Sequence, residues 1–102
     1  MRQFDVYRNP ETEISGYAPY LAVLQSHHLQ VVNSVVVAPR INDSQRALSP
    51  VDIAVVFLGS PFILAVAEMA AMDGRRLQQV IGSVEDQEDA IRRALDRIFT
   101  GF

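Results

Sequence analysis

The chain has 102 residues, 49% of them hydrophobic, with a net charge of −3 and an isoelectric point near 5.2. That is the size of one domain, 1–102, and an acidic balance without any basic run argues against nucleic acid or an anionic membrane surface as the primary partner. The lack of cysteine removes disulfides, thiolate metal sites and thiol nucleophiles, and fits the cytoplasm. A domain this small buries only a little over ~60% of its unfolded surface, so dimerisation is a natural route to stability.

The first ten residues lack the apolar core of a signal peptide. Gln3 to Arg8 alternates, with Phe4 and Val6 on one face and Asp5 and Tyr7 on the other, which predicts a half-buried first strand. Asn9-Pro10 opens a turn, and the loop runs through Gly16 and Pro19. Tyr20 to Gln25 reads as a second strand ending at Ser26-His27-His28, and valine-rich Val31 to Ala38 as a third, closed by Pro39. Arg40 to Leu48 is polar enough for a loop or a helical turn capped by Asp43 or Ser44.

Ile53 to Ala67 is the longest uncharged stretch, but its 15 residues fall short of the ~20 that span a bilayer. Gly59-Ser60-Pro61 interrupts it, so Val51–Leu58 and Phe62–Ala67 read as a hairpin. Its nearly continuous apolar character predicts central strands covered on both faces. Glu68 to Met72 has the composition to run on into helix. Asp73-Gly74 is a hairpin-type turn dipeptide, and Arg75 to Ile81 reads as the last strand, broken by Gly82.

Ser83 to Phe102 is the clearest segment. Val84, Ile91, Ala94, Leu95, Ile98 and Phe99 recur at three- and four-residue steps, the spacing of one helix face. Ser83 with Asp86 resembles a capping box. Acids crowd the first turns and arginines the later ones, and Glu88–Arg92 and Asp89–Arg93 are spaced for ion pairs. Gly101 ends the helix. Several strands followed by one helix define a mostly β, α+β domain with an antiparallel sheet.

Side chains that carry chemistry are few. Adjacent strand residues face opposite ways, so His27 and His28 do not easily share one metal. There is no HExxH, no phosphate-binding glycine loop and no Gly-x-Ser-x-Gly elbow. Asp52, before an apolar strand, and Glu68, among apolar neighbours, each read either as a buried acid or, the blander reading, as a solvated one, and Arg40, Arg46, Arg75 and Arg76 are scattered loop arginines whose convergence depends on the fold. By its spacing Phe99 belongs to the core, whereas Phe102, beyond the glycine and carrying a carboxylate, resists burial.

Taken together, several segments resemble the CcdB family, the toxins of toxin–antitoxin pairs that poison DNA gyrase. They are Gln3-Phe4-Asp5-Val6-Tyr7, where the family has Gln-Phe-x-Val-Tyr, then Val23-Leu24-Gln25-Ser26, Val35-Val36-Val37-Ala38-Pro39 and Val80-Ile81-Gly82. The closing Ile91-Arg92-Arg93-Ala94-Leu95-Asp96-Arg97-Ile98-Phe99 is similar to the family's last helix. The resemblance implies a strongly curved SH3-like antiparallel sheet, partly open as a barrel, with a small accessory sheet and a C-terminal helix, assembled as a homodimer. It implies a topoisomerase poison, not an enzyme, without metal or cofactor. Such a toxin binds the DNA gyrase A subunit, traps it on cleaved DNA, and is neutralised by a CcdA-like antitoxin. Toxin and antitoxin together repress their own operon, so DNA is met only through antitoxin or gyrase.

The implied gyrase-binding residues are Asp96, Phe99, Thr100, Gly101, Phe102, His28 and Leu29. Three departures fall among them. The family's tryptophan position is Thr100, its asparagine one turn earlier is Asp96, and its two adjacent isoleucines are His28 and Leu29. Thr lacks a π face, which removes a stacking contribution of roughly 0.5–2 kcal/mol. Weakened or retargeted poisoning follows as an expectation. The alternatives are a non-toxic protein that binds only antitoxin, and a MazF/Kid-type endoribonuclease on the same fold.

Overall fold

The computed structural model describes residues 2–10, 19–25, 34–41 and 49–101. The strands are β1 (Asp5–Arg8), β2 (Tyr20–Val23), β3 (Ser34–Ile41), β4 (Asp52–Phe57), β5 (Ser60–Ala65), β6 (Ala70–Asp73) and β7 (Val80–Ser83). One helix, α1 (Glu88–Thr100), follows them. They form one antiparallel sheet in the order β4-β5-β3-β2-β1-β7, with β6 also pairing β3. This is the α+β, mostly β architecture that the sequence predicts.

β3 organises the sheet. One of its edges carries β2, through Val37↔Val23 to Arg40↔Tyr20. The other carries β6 against Ser34–Val37 and β5 against Arg40 and Ile41. β5 and β6 therefore behave as one strand interrupted by the 3-10 turn Val66–Glu68. Pro39 does not close β3 as expected. It sits inside the strand opposite Leu21, beside the break between β5 and β6, where a missing N–H is least costly.

β1, β2 and the second half of β5 are buried on both faces. Phe4, Val6, Ala22 and Leu24 join the main core with Leu64, Val66, Val84, Ile91 and Ala94. Tyr7, Leu21 and Val23 face a second, smaller core with Leu77. Burial pushes the Tyr7 hydroxyl above its ordinary pKa, with Asp5 adding to the effect. Phe4 has φ of 72°, an uncommon conformation for a bulky residue. It is fixed from both sides, since its N–H donates to Val23 O at 2.6 Å and its carbonyl accepts from Val84 N at 2.9 Å.

Within the hairpin β5 is the central strand expected, with Phe62 to Ala65 all buried, whereas β4 departs from expectation. β4 alternates between buried Ile53, Val55 and Phe57 and exposed Ala54 and Val56, and it is an edge strand. When both faces of a strand are apolar, composition does not distinguish a central strand from an edge. The turn is Leu58-Gly59, with φ of 53° and 79°, the two positive values of a type I′ hairpin. Glu68 to Met72 forms the end of a 3-10 turn and most of β6, not helix. Asp73 caps the 3-10 turn Gly74–Arg76 by accepting from Arg75 N at 2.9 Å, in place of a hairpin turn. The last strand is only Val80–Ser83, so Gly82 lies within it.

That glycine closes the architecture. β4 and β7 are opposite ends of the strand order, yet a Cβ added at Gly82 would lie inside the van der Waals envelope of the Phe57 ring. The sheet therefore curls until its outer strands meet, without pairing. Phe57 also contacts Tyr20 and Phe62 edge-to-face, at 5.1 and 6.4 Å between centroids. Tyr20 and Phe62 complete the triangle at 5.4 Å. Such pairs contribute about 0.5–1.5 kcal/mol each beyond buried area. A Gly82→Ala substitution is expected to destabilise the fold by about 1–3 kcal/mol through overpacking. Urea unfolding of Gly82→Ala, Phe57→Leu and the double variant checks this, since relief of the clash makes the double variant more stable than additivity predicts.

Candidate functional site

The chain enters α1 through a short step that the sequence does not show. Ser83 Oγ accepts from Glu85 N at 3.1 Å, two residues on, and the 3-10 turn Glu85–Gln87 precedes the helix. The expected Ser83–Asp86 capping box is thus replaced by a tighter turn, and the helix begins at Glu88. Ile91 and Ala94 are buried, and Ala90, Leu95 and Ile98 pack against the main core. Glu88 and Arg92 form the anticipated ion pair at 3.7 Å, a surface contact that adds little stability.

Phe99 is not core, contrary to its spacing, for it is 71% exposed. At about 100° per residue it lies roughly 80° around the helix from Ile91, at the margin of the apolar stripe. It also belongs to the last turn. Asp96, Thr100 and Gly101 are exposed beside it. The end of the helix is firmly terminated: Thr100 Oγ1 donates to Asp96 O at 2.6 Å, and Gly101 N donates to Arg97 O at 3.1 Å. Gly101 adopts φ of 80°, the left-handed cap that glycine accommodates without strain. An aromatic ring is thus held outward on a capped turn.

Four of the seven site residues expected from sequence, Asp96, Phe99, Thr100 and Gly101, share this one turn and its cap. Phe102, His28 and Leu29 lie outside the described residues, as do His27, Arg46 and the proposed caps Asp43 and Ser44. Asp52 is half-buried at the mouth of β4, where it accepts from Ser49 N at 3.1 Å, and Glu68 is exposed on its turn. Arg40 lies within β3, opposite Tyr20 and Leu64. No group of three metal-ligating side chains gathers among the described residues.

Sequence reasoning missed two features. One is the pair Val56 and Leu58, 76% and 73% exposed at the end of the hairpin. The other is an open cleft of about 240 Å³ lined by Arg2, Gln3, Phe4, Asp5, Ser83, Glu85 and Glu88. The cleft arises because β1 pairs with β7, bringing together two segments far apart in the chain.

The curved antiparallel sheet with one C-terminal helix recurs in solved structures. Mycobacterium tuberculosis toxin MazF-mt6 shares it at a TM-score of 0.72 and 19% identity over 96% of each chain. A second Mtb toxin matches at 0.67 and 20% identity, over 80% of this chain and 92% of the other. A chain of the MazE–MazF complex of Deinococcus radiodurans matches at 0.69 and 16% identity, over 98% and 95%. At these identities the likeness is one of fold. No curated protein matches the sequence. Residues 3–101 match the family described as CcdB protein, and the chain belongs to the CcdB family. It is thereby placed among the toxins of toxin–antitoxin pairs.

Arg75 is engaged within its own turn. It grips Asp73 with a 2.7 Å ion pair on the surface, and its hydrogen bonds hold the Asp73 carboxyl down at about 2. Because the folded value lies below the ordinary carboxylate range near ~4, the stabilisation is present above that range and is lost as pH falls toward 2. An NMR titration is expected to find the Asp73 midpoint near 2, and Arg75→Ala is expected to return it to the ordinary range.

Proposed function

We propose that this protein is a gyrase-directed toxin, active as a homodimer and neutralised by a CcdA-like antitoxin. Its target-binding surface is built from Asp96, Phe99, Thr100 and Gly101, together with Phe102, His28 and Leu29. The observation that carries the proposal is the outward Phe99, 71% exposed on a helix whose other large apolar residues pack against the core. An exposed aromatic on a capped turn is entropically cheap to bury and has the character of an interface hot spot. On this reading the toxin binds the gyrase A subunit and holds it on cleaved DNA. It carries out no bond-breaking step of its own.

Thr100 replaces the aromatic that the family presents here, so Phe99 takes a larger share of the contact. The hydroxyl of Thr100 is already committed to the Asp96 carbonyl and serves the helix end more than a partner. Asp96 adds an anion to the same turn, which suits a basic patch on the target.

Overexpression in a gyrase-sensitive host is expected to arrest growth and accumulate gyrase–DNA cleavage complexes. Absence of both would leave a protein that binds only antitoxin. Phe99→Ala is expected to weaken binding to the gyrase A fragment by about 30-fold or more. Because the ring is exposed, stability should stay within ~0.5 kcal/mol of the parent. Thr100→Trp is expected to strengthen binding, as measured by titration calorimetry with the same fragment. The fold shared with MazF toxins favours RNA cleavage as the second reading, and sequence-specific cuts in single-stranded RNA by the purified protein would establish it.

A further inference from the structure

We propose that Thr100 is a positioning residue: its hydroxyl closes the last turn of α1 and so holds Phe99 ordered and outward for a partner. This role rests on the reading of Phe99 as the target contact and requires no touch between Thr100 and the target.

The end of a helix is its weakest part, because the last carbonyls have no amide ahead of them and the final turn frays. Burial gives α1 little help there. Its buried residues, Ile91 and Ala94, lie upstream, and beyond Leu95 only Ile98, half-buried, packs against the core. Asp96, Arg97, Phe99, Thr100 and Gly101 are all exposed. The ion pair Glu88–Arg92 braces only the first turns.

Two hydrogen bonds act where burial does not. Thr100 Oγ1 donates to Asp96 O at 2.6 Å, and Gly101 N donates to Arg97 O at 3.1 Å. Both arcs, 96 to 100 and 97 to 101, enclose Phe99, so its backbone cannot leave the helix until both have opened. The second bond depends on Gly101 at φ of 80°. The first depends on a short hydroxyl side chain, which serine and threonine supply, reaching the carbonyl four residues back. In a helix interior such a bond duplicates what the backbone ladder already secures. At the last residue, where the ladder ends, it adds a restraint.

The consequence for Phe99 is entropic. The ring is 71% exposed, so packing does little to fix it. A ring on a frayed turn has to be ordered by the partner on binding, and that cost is subtracted from affinity. On a closed turn the ordering precedes the encounter. Thr100 thus exchanges the contact area of an aromatic for the order of the aromatic beside it.

The test uses the full chain with Thr100→Val, which removes the hydroxyl and keeps the branched shape, and Thr100→Ser, which keeps the hydroxyl. Three-bond couplings across the Cα–Cβ bond of Phe99, read by NMR, are expected to show one rotamer in the parent and in Thr100→Ser. In Thr100→Val they are expected to average over several. Amide exchange at Thr100 and Gly101 is expected to quicken by about three- to tenfold in Thr100→Val and to stay within about twofold in Thr100→Ser. Melting temperatures stay near that of the parent, since the position is exposed. Affinity for the gyrase A fragment is expected to fall by about three- to tenfold in Thr100→Val and to recover in Thr100→Ser. A hydroxyl with a merely structural role would leave the affinity of the folded protein alone. Averaged Phe99 couplings in the parent, equal couplings in parent and Thr100→Val, or no rescue by serine would overturn the proposal. So would unchanged affinity in Thr100→Val despite quickened exchange. A parent protein that does not bind the fragment would overturn the toxin reading alone, because couplings and exchange decide the role of Thr100 without gyrase.

Discussion

The contact on which the structure turns is the ring of Phe57 seated on Gly82. It joins the last residue of one outer strand to the interior of the other, and only a residue without Cβ leaves room for the ring. Because the sheet curls to make this contact, one face becomes concave and is filled by Phe4, Val6, Ala22, Val55, Leu64 and the inner stripe of α1. A flat sheet of the same strands would leave this apolar face half covered. Twist inherent in β-strands supplies the direction of curvature, while the edge-to-face triangle of Tyr20, Phe57 and Phe62 fixes its extent.

From that curl the position of the helix follows. β7 is drawn over the core by its pairing with β1, and Val84 donates to the strained Phe4 carbonyl. The chain therefore leaves the sheet above the cavity it must fill. The helix then has a direction imposed at its first turn and a buried stripe, Ile91 and Ala94 with Leu95 and Ile98, that keeps it there. Phe99 is exposed because the stripe drifts and the helix outruns the core it covers. Exposure of the ring is thus a consequence of where the helix starts as much as of its sequence.

The sequence conveyed the class of the fold because a period-two pattern survives around β1, where Asp5 interrupts the apolar residues, and a three-to-four-residue period survives in α1, whose outer face is polar. It failed in β4 for a definite reason. Ala54, Val56 and Leu58 are as apolar as Ile53, Val55 and Phe57, so alternation of burial leaves no alternation of hydropathy, and an edge strand reads as a central one. Pro39 misled for a related reason: a proline ends a strand unless the ladder beside it is already broken, and that break is set by residues more than twenty positions later. At the site, Asp96, Phe99, Thr100 and Gly101 were legible as a group through the family resemblance, since they are contiguous. Spacing alone put Phe99 in the core, because periodicity gives the face of a helix but not where the core beneath it stops.

The two phenylalanines that frame the helix have opposite fates. Phe57 touches Gly82 just before the segment that feeds the helix, whereas Phe99 occupies the last turn of its 13 residues. A helix of that length spans roughly 20 Å, and packed groups of one core lie between the two rings: Phe57 and Val55 on the strand, then Ile91 and Ala94 on the helix. The ring that sets the curl of the sheet is buried because the core reaches it, and the ring at the far end is exposed because the core stops before it.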